Sequence, residues 1–370
     1  MKIGVLTGGG DCPGLNPALR AIVLRALDFH DEVIGIKQGW KGLVTIETMP
    51  LELSTVEDLI RAGGTVLESS RTNPVKDEDQ LKAVLGNIQA LQLDVLIALG
   101  GEDTLGGANK LAQMGVPAIG VPKTMDNDIS ETDYTFGFDS AVSVAVDACD
   151  RLLDTSRSHR RIAVLEVFGR HVGWTALYTA VCGGADAALI PEVMDSKCPI
   201  GPDGKRKPAD KLTEDEKRAI AEPMLDQLAG HLSGVRARRN HALVVVAEGL
   251  ADIRPSPPLD EEARDQFGQR LLKKYQIGEY IADQLEARLG WEARSVVLGH
   301  VMRGGAPTPF DRWLATRLGL KAVDLAHEKK WGRMSALQGT EIIDVPLKDA
   351  VGKLKKVPLE LYQELQPVFK

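Results

Sequence analysis

The chain has 370 residues, a formal net charge of −7, and 44% hydrophobic, 26% charged and 5% aromatic residues. That length exceeds what one hydrophobic core usually fills, so two α/β lobes are expected. So few aromatics argue against a base-stacking nucleic-acid surface, and the acidic balance means that any phosphate site must be a local basic pocket. No apolar run is long enough to span a bilayer, so no membrane partner is expected. Met1-Lys2-Ile3-Gly4-Val5-Leu6-Thr7 enters a strand pattern directly, without the shape of a signal peptide. Cys12, Cys149, Cys182 and Cys198 show neither CxxC spacing nor a histidine partner pattern. They read as reduced thiols of a cytoplasmic protein with no zinc site.

In chain order, Lys2–Leu6 reads as a buried strand, Gly8–Gly14 as a glycine-rich turn and Leu15–Phe29 as a helix. Val33–Ile36 is a second strand and Asp79–Leu91 a helix. Asp94–Leu99 is a third strand, running into Gly100-Gly101-Glu102-Asp103-Thr104 and a helix to about Met114. Pro117–Val121 is a fourth, ending in Pro122-Lys123-Thr124-Met125-Asp126-Asn127-Asp128. Ile162–Val167, Ala187–Ile190, Ala242–Ala247 and Arg294–Leu298 continue the alternation. Lys197–His241 reads as an exposed insertion carrying a helix at Asp215–Leu232. Strands alternating with helices predict doubly wound, mainly parallel sheets with right-handed crossovers. Ligands on such sheets bind at the carboxyl ends of the strands, where all three unusual turns of the first lobe fall.

Glycines after a strand let backbone N–H groups approach a phosphate, with the positive end of the next helix behind them. Gly8–Gly14 lacks both the P-loop and the GxGxxG spacing, so a plain tight turn stays open. The paired carboxylates Glu102 and Asp103 make sense beside an anion if one holds Mg²⁺, or if both simply favour a helix N-terminus. Thr124-x-Asp126-x-Asp128 follows a strand on a turn, so its side chains can converge on one ligand. Phosphoryl transfer to a sugar hydroxyl needs such a base and positioning groups; an Asx-turn is the plain alternative. Arg161, Arg170, Arg294 and Arg303, with His300, lie beside glycines at strand ends. Arginine forks match phosphate geometry, so these residues point to a sugar-phosphate pocket.

Together these residues resemble the phosphofructokinase family, from Leu6 to about Leu325 apart from the insertion. The matching segments also include Gly63-Gly64-Thr65 with Arg71, Val167–Arg170, Pro191-Glu192, Ala247-Glu248-Gly249, Leu298–Gly305 and Pro309-Phe310-Asp311-Arg312. The resemblance implies the phosphofructokinase fold of two lobes with the active site in the cleft between them. It implies a donor lobe over 1–138, with part of the C-terminal chain packing back on it, and a sugar-phosphate lobe over 139–325. Residues 326–370 would be a C-terminal extension. It makes Asp126 the base for the 1-hydroxyl of fructose 6-phosphate, flanked by Thr124 and Asp128, with Glu102 as the Mg²⁺ carboxylate. Gly10 and Gly101 would face the donor, and Arg71 would neutralise its phosphate charge. Phe168, Gly169, Arg170, Glu248, His300 and Arg303 would bind the sugar phosphate, with Phe168 standing where the family usually has Met. Arg161 and Arg294 would reach it from a neighbouring subunit of a homodimer or homotetramer.

Members of the family that use ATP carry glycine where Asp103 stands, and usually also where Lys123 stands. A carboxylate there would crowd and repel a nucleotide α-phosphate, while Lys123 would attract a compact diphosphate. The resemblance therefore implies pyrophosphate as donor. The alternatives are an ATP-dependent kinase of the same fold, an NAD or lipid kinase, a non-catalytic sugar-phosphate sensor and an NAD(P)-binding oxidoreductase. Arg20 has the position of one effector arginine on the first helix, but Leu24 replaces the second, so control by nucleoside diphosphates or phosphoenolpyruvate is expected to be weak or absent.

Overall fold

A computed structural model describes residues 1–201, 204–255 and 276–369. The first stretch runs β1 (Lys2–Thr7), α1 (Leu15–Asp28), β2 (Glu32–Ile36), α2 (Trp40–Thr45), β3 (Thr48–Pro50), α3 (Leu53–Val56), α4 (Glu78–Ala90), β4 (Val95–Gly100), α5 (Glu102–Gln113) and β5 (Ala118–Pro122). Then come α6 (Phe138–His159), β6 (Ile162–Val167), α7 (Trp174–Cys182), β7 (Ala187–Leu189), α8 (Pro191–Asp195), α9 (Glu214–Arg236), β8 (Ala242–Ala247), α10 (Ile277–Leu289) and β9 (Ala293–Val297). The chain ends with α11 (Pro309–His327), β10 (Arg333–Gln338), β11 (Glu341–Pro346), α12 (Leu347–Ala350) and α13 (Leu359–Leu365). It divides into two units, Met1–Ala141 with Arg303–Lys355, and Val142–Met302 with Lys356–Lys370.

The first unit is built on a seven-stranded sheet in the order β11-β10-β5-β4-β1-β2-β3. Its central pairings are parallel, and both edge strands, β11 and β3, are antiparallel. Strands covered on both faces must be apolar throughout, and β4 is buried at every residue. Leu6, Ile36, Trp40, Leu96, Leu105, Leu111, Met334 and Leu347 share one core.

Residues 303–325, expected with the second lobe, cluster in this first unit instead. The reason is α11, which packs along α1. Gly319 permits the approach, because a Cβ there would stand 2.7 Å from the Ala18 carbonyl oxygen. The C-terminal chain adds two strands that periodicity did not reveal. In β10, Arg333-Met-Ser-Ala-Leu-Gln mixes polar ends with small residues and becomes a strand by pairing with β5 and β11.

The second unit holds a wholly parallel four-stranded sheet, β7-β8-β6-β9. Its central β8, Ala-Leu-Val-Val-Val-Ala, is completely buried, and β9 forms an edge with Val296 and Val297 exposed. The reading of Lys197–His241 as an exposed insertion is corrected over its helix, while Pro199, Ile200, Gly204, Lys205 and Arg206 are exposed as expected. A capping box between Thr213 and Glu216 starts α9, which buries Ile220, Leu225, Leu228, Leu232 and Val235 and packs against α10.

Candidate active site

In the first unit, β5, β4 and β1 are adjacent and parallel, so the three turns emerge at one sheet edge. The backbone joins them: Gly8 N–H donates to Leu99 O at 2.9 Å, and Lys123 N–H to Gly100 O at 3.0 Å. The glycines are set by close packing. A Cβ on Gly8 or Gly100 would fall within 2.6 Å of Thr104 Oγ1, and one on Gly10 would lie 2.4 Å from Arg303 Nη1. The segment before Arg71 joins the same place, since Gly9 N–H donates to Ser70 O at 3.0 Å and Ser69 Oγ donates to Gly9 O. Gly63 belongs to the same packing, because a Cβ there would meet Gly305 O at 2.2 Å.

Lys123 is buried, and its ammonium donates to Gly10 O. Burial lowers its pKa, and the nearby Arg303 guanidinium lowers it further. Asp103, at the start of α5, accepts from Asn73 Nδ2 at 3.3 Å and lies 4.0 Å from Lys76 Nζ. Lys123 and Asp103 therefore have different partners. Arg303, expected with the sugar-phosphate residues, belongs to this unit, and its Nη1 donates to Asp11 O at 3.0 Å. Gly101 is the residue that opens α5, with Glu102 and Asp103 in its first turn.

On the Thr124–Asp128 turn, Thr124 Oγ1 accepts from Asp126 N–H at 3.1 Å, and Thr135 Oγ1 donates to Thr124 O at 2.7 Å. Burial pushes the Asp128 pKa up to about 7, with the Asp126 and Glu102 carboxylates adding to the rise. Glu102 Oε1 accepts from Gly352 N–H at 3.1 Å. Among the described residues no group of three or more His, Cys, Asp or Glu could by itself hold a metal ion. A carboxylate such as Glu102, near Asp128, nevertheless suits Mg²⁺, which takes one or two protein oxygens and completes its shell with phosphate and water.

In the second unit, Phe168, Gly169 and Arg170 follow β6, Glu248 follows β8 and His300 follows β9, all at the carboxyl edge. Phe168 and His300 meet edge to face with ring centroids 5.6 Å apart. Gly249 N–H donates to Gly169 O at 3.1 Å, and a Cβ on Gly249 would strike Arg170 O at 2.1 Å. Arg161 and Arg294 lie at the opposite edge, where β6 and β9 begin. Arg161 Nη2 donates to Thr155 Oγ1 at 3.1 Å, and Arg294 Nη2 pairs with Glu292 at 3.0 Å. The length of β6 puts about 20 Å between the two groups. Within one subunit Arg161 and Arg294 therefore do not join the residues after β6, β8 and β9.

Two matched motifs prove structural. Buried Asp311 accepts from Ser140 N and Oγ at 2.8 and 2.6 Å, tying α11 to the start of α6, and burial raises its pKa to about 6. Buried Glu192 accepts from the backbone N–H groups of Gly173 and Val357, both at 2.9 Å. Sequence reasoning missed the C-terminal residues Gly352 to Lys355, which pack on the Asp128–Asp133 segment and on Glu102. No motif marks them; their role comes from contacts more than 200 positions away in sequence.

Among the described residues no helix is long and apolar enough to cross a membrane. The family model described as "Phosphofructokinase" matches residues 2–326. A pyrophosphate–fructose 6-phosphate 1-phosphotransferase of Dictyoglomus thermophilum is 47% identical over 100% of this chain and 99% of its own. One from Streptomyces coelicolor is 45% identical over the whole of both chains, and ATP-dependent 6-phosphofructokinase 3 of the same organism is 44% identical, also over the whole of both. The phosphofructokinase structure from Saccharomyces cerevisiae matches with a TM-score of 0.74 at 26% identity, covering all of this chain and 46% of that one. Matching motifs, turns gathered at one sheet edge and full-length relatives lead to one conclusion: the chain belongs to the phosphofructokinase family.

Proposed function

We propose that this protein transfers a phosphoryl group from pyrophosphate to the 1-hydroxyl of fructose 6-phosphate, giving fructose 1,6-bisphosphate and phosphate. Donor and product phosphates differ little in transfer potential, so the reaction runs in both directions. The observation that carries the donor assignment is the separate placement of Lys123 and Asp103. The lysine ammonium is buried against the Gly8–Gly10 turn, and the carboxylate is held apart by Asn73 and Lys76. A buried cation favours a compact, highly charged diphosphate, and a carboxylate beside it repels a further phosphate.

Asp126 accepts the proton of the 1-hydroxyl as the oxygen–phosphorus bond forms and the bond to the departing phosphate breaks. Thr124 and Asp128 flank the transferring group. Gly10 and Gly101 present backbone to the donor, and Arg71 offsets charge on the departing phosphate. Phe168, Gly169, Arg170, Glu248, His300 and Arg303 hold the sugar phosphate, with Arg170 also oriented to the transferring group. Glu102 would hold Mg²⁺, which supplies charge neutralisation across the phosphates when bound. The distance from Arg161 and Arg294 to the residues after β6 supports the reading that they serve another subunit's site, which makes a homodimer or homotetramer necessary for activity. The protein works in the cytoplasm and, with Leu24 in place of an effector arginine, without strong allosteric control.

A second reading, an ATP-dependent 6-phosphofructokinase, is favoured by relatives so named at 44% identity. Steady-state rates with fructose 6-phosphate and each donor decide between the two. The native protein should use pyrophosphate, and Asp103→Gly with Lys123→Gly should lose pyrophosphate use and gain ATP use. A native protein that turns over ATP and ignores pyrophosphate refutes the donor assignment.

A further inference from the structure

We infer that Lys355 is a positioning residue for phosphoryl transfer, holding the Thr124–Asp128 turn in its working geometry from the far C-terminal chain. The inference rests on the reading of that turn as the one that carries the base.

An ammonium has three donors and no acceptor. Lys355 Nζ places all three at 2.8 Å, on Asn127 Oδ1, Thr132 O and Asp133 O. Its backbone N–H donates to Asp128 O, also at 2.8 Å. The residues before it add to the grip: Leu354 bridges to Ile129, and Ser130 Oγ donates to Lys353 O at 2.6 Å. Gly352 N–H reaches Glu102 Oε1. One four-residue stretch therefore touches the Asp128–Asp133 segment and the proposed Mg²⁺ carboxylate together.

Asn127 is the point through which this matters. It lies between Asp126 and Asp128, its side chain is buried, and its φ of 53° is left-handed. Asn tolerates that conformation better than most non-glycine residues when its short polar side chain is hydrogen-bonded locally. Here Asn127 Oδ1 accepts from Thr135 N–H at 3.1 Å and from Lys355. Fixing Asn127 fixes the directions of the carboxylates on either side of it. Those two carboxylates repel one another, so without the anchor the turn would open. Replacing Lys355 leaves the Thr132 and Asp133 carbonyls and Asn127 Oδ1 short of a donor, and the turn would relax to find others.

A displacement of about 1 Å in a reacting group costs about 10²-fold in rate. Lys355→Met should therefore lower kcat by about 10- to 100-fold, with little change in KM for fructose 6-phosphate or donor. The assay uses whichever donor the native protein accepts. Lys355→Arg, which keeps charge and donors, should recover part of the loss, and Lys348→Met, at an exposed lysine outside the anchoring stretch, should match wild type. Asn127→Ala should reproduce the defect, and adding Lys355→Met to it should cost little more, because both act on one link. Should Lys355→Met not fold, Asn127→Ala and Lys355→Arg carry the test through the same split between kcat and KM. A folded Lys355→Met with unchanged kcat overturns the inference, as does a loss of kcat, KM and melting temperature together that arginine does not ease. A native protein inactive with every donor overturns the functional reading and the inference with it.

Discussion

Placing a methyl group on Gly8 tests whether the Gly8–Gly14 turn is set by Thr104. A Cβ on Gly8 would lie 2.5 Å from Thr104 Oγ1, 2.8 Å from its Cγ2 and 3.3 Å from its Cβ. Thr104 is only 3% exposed and β-branched within α5, so it has little room to turn away. Overpacking of this kind costs about 1–3 kcal/mol, which in a domain of this size lowers the melting temperature by about 2–4 °C per kcal/mol. Thr104→Ala alone, which removes a buried methyl and the hydroxyl beside it, costs about 1 kcal/mol or more. Combined with Gly8→Ala it removes both close contacts and leaves only Cβ at 3.3 Å, so the double variant should melt above Gly8→Ala. Gly100 supplies the contrast. Its added Cβ would stand 2.2 Å from Thr104 Cβ itself, an atom that Thr104→Ala retains, so Gly100→Ala should not be rescued. Thermal melting of wild type, the three single variants and the two doubles with Thr104→Ala, with kcat beside it, reads the result. A Gly8→Ala protein that melts and turns over like wild type refutes the reasoning, and so does equal rescue of both glycine variants by Thr104→Ala.

Asp128 has a pKa raised to about 7 in the folded protein, against 3.8 when unperturbed. The folded state thus binds more protons than the unfolded one between those values, and stability from this group falls as pH rises through that window. Without Mg²⁺, Asp128→Asn should melt above wild type at about pH 8, with the gap closing by about pH 4; the same gap at both refutes the assignment. Ile46 ends α2 with φ 58° although it is β-branched, and it is 46% exposed. Ile46→Gly should raise the melting temperature, since relief of left-handed strain is worth about 1–2 kcal/mol. Asp126→Ser should lose most of kcat with sugar affinity retained, and a near-native rate would remove Asp126 from the role of base. Mixing Arg161→Ala with Asp126→Ser subunits should restore part of the activity that each lacks alone, measured after exchange of subunits. No recovery despite exchange would count against a shared site.

What was legible in the sequence follows from range. The strands β1, β4, β5, β6 and β8 are apolar runs ended by glycine or proline turns, and local pattern is enough to find them. The turns they carry could be placed at one sheet edge because parallel topology leaves little choice. Three features depended on contacts that no window of residues contains. One is the transfer of α11 to the first unit, which follows from its packing on α1 across about 300 positions, as in the Arg25–Asp324 pair at 2.7 Å. Another is the burial of α9, whose apolar stripe becomes core only once α10 is in place. The third is the anchoring of the Asp128–Asp133 segment by Lys355, a lysine in an unremarkable polar stretch. Roles that follow a motif were read residue by residue, but they said nothing about which edge of a strand each side chain occupies. Arg161 before and Arg170 after the same strand could be read from the sequence; that Arg294 lies level with Arg161, through the parallel register of β6 and β9, could not.

The same geometry explains why the Thr124–Asp128 turn needs so many supports. Burial raises the Asp128 pKa, with the Asp126 and Glu102 carboxylates adding to the rise, and a protein selected for stability alone would replace at least one of the three. Their presence suits the proposed binding of a cation and phosphates, which would balance the charge. Until they do, the strain must be borne by neutral and cationic contacts made elsewhere. Thr135 holds the Thr124 carbonyl and Asn127, Lys355 holds Asn127 and the carbonyls beyond it, and Gly352 holds Glu102. Thr135 and Lys355 restrain the turn through its backbone and Asn127, while Gly352 binds the Glu102 carboxylate directly with a neutral N–H. On the proposed reading of Asp126 as the base, these contacts keep the turn in place through Thr124, Asn127 and the carbonyls beyond it.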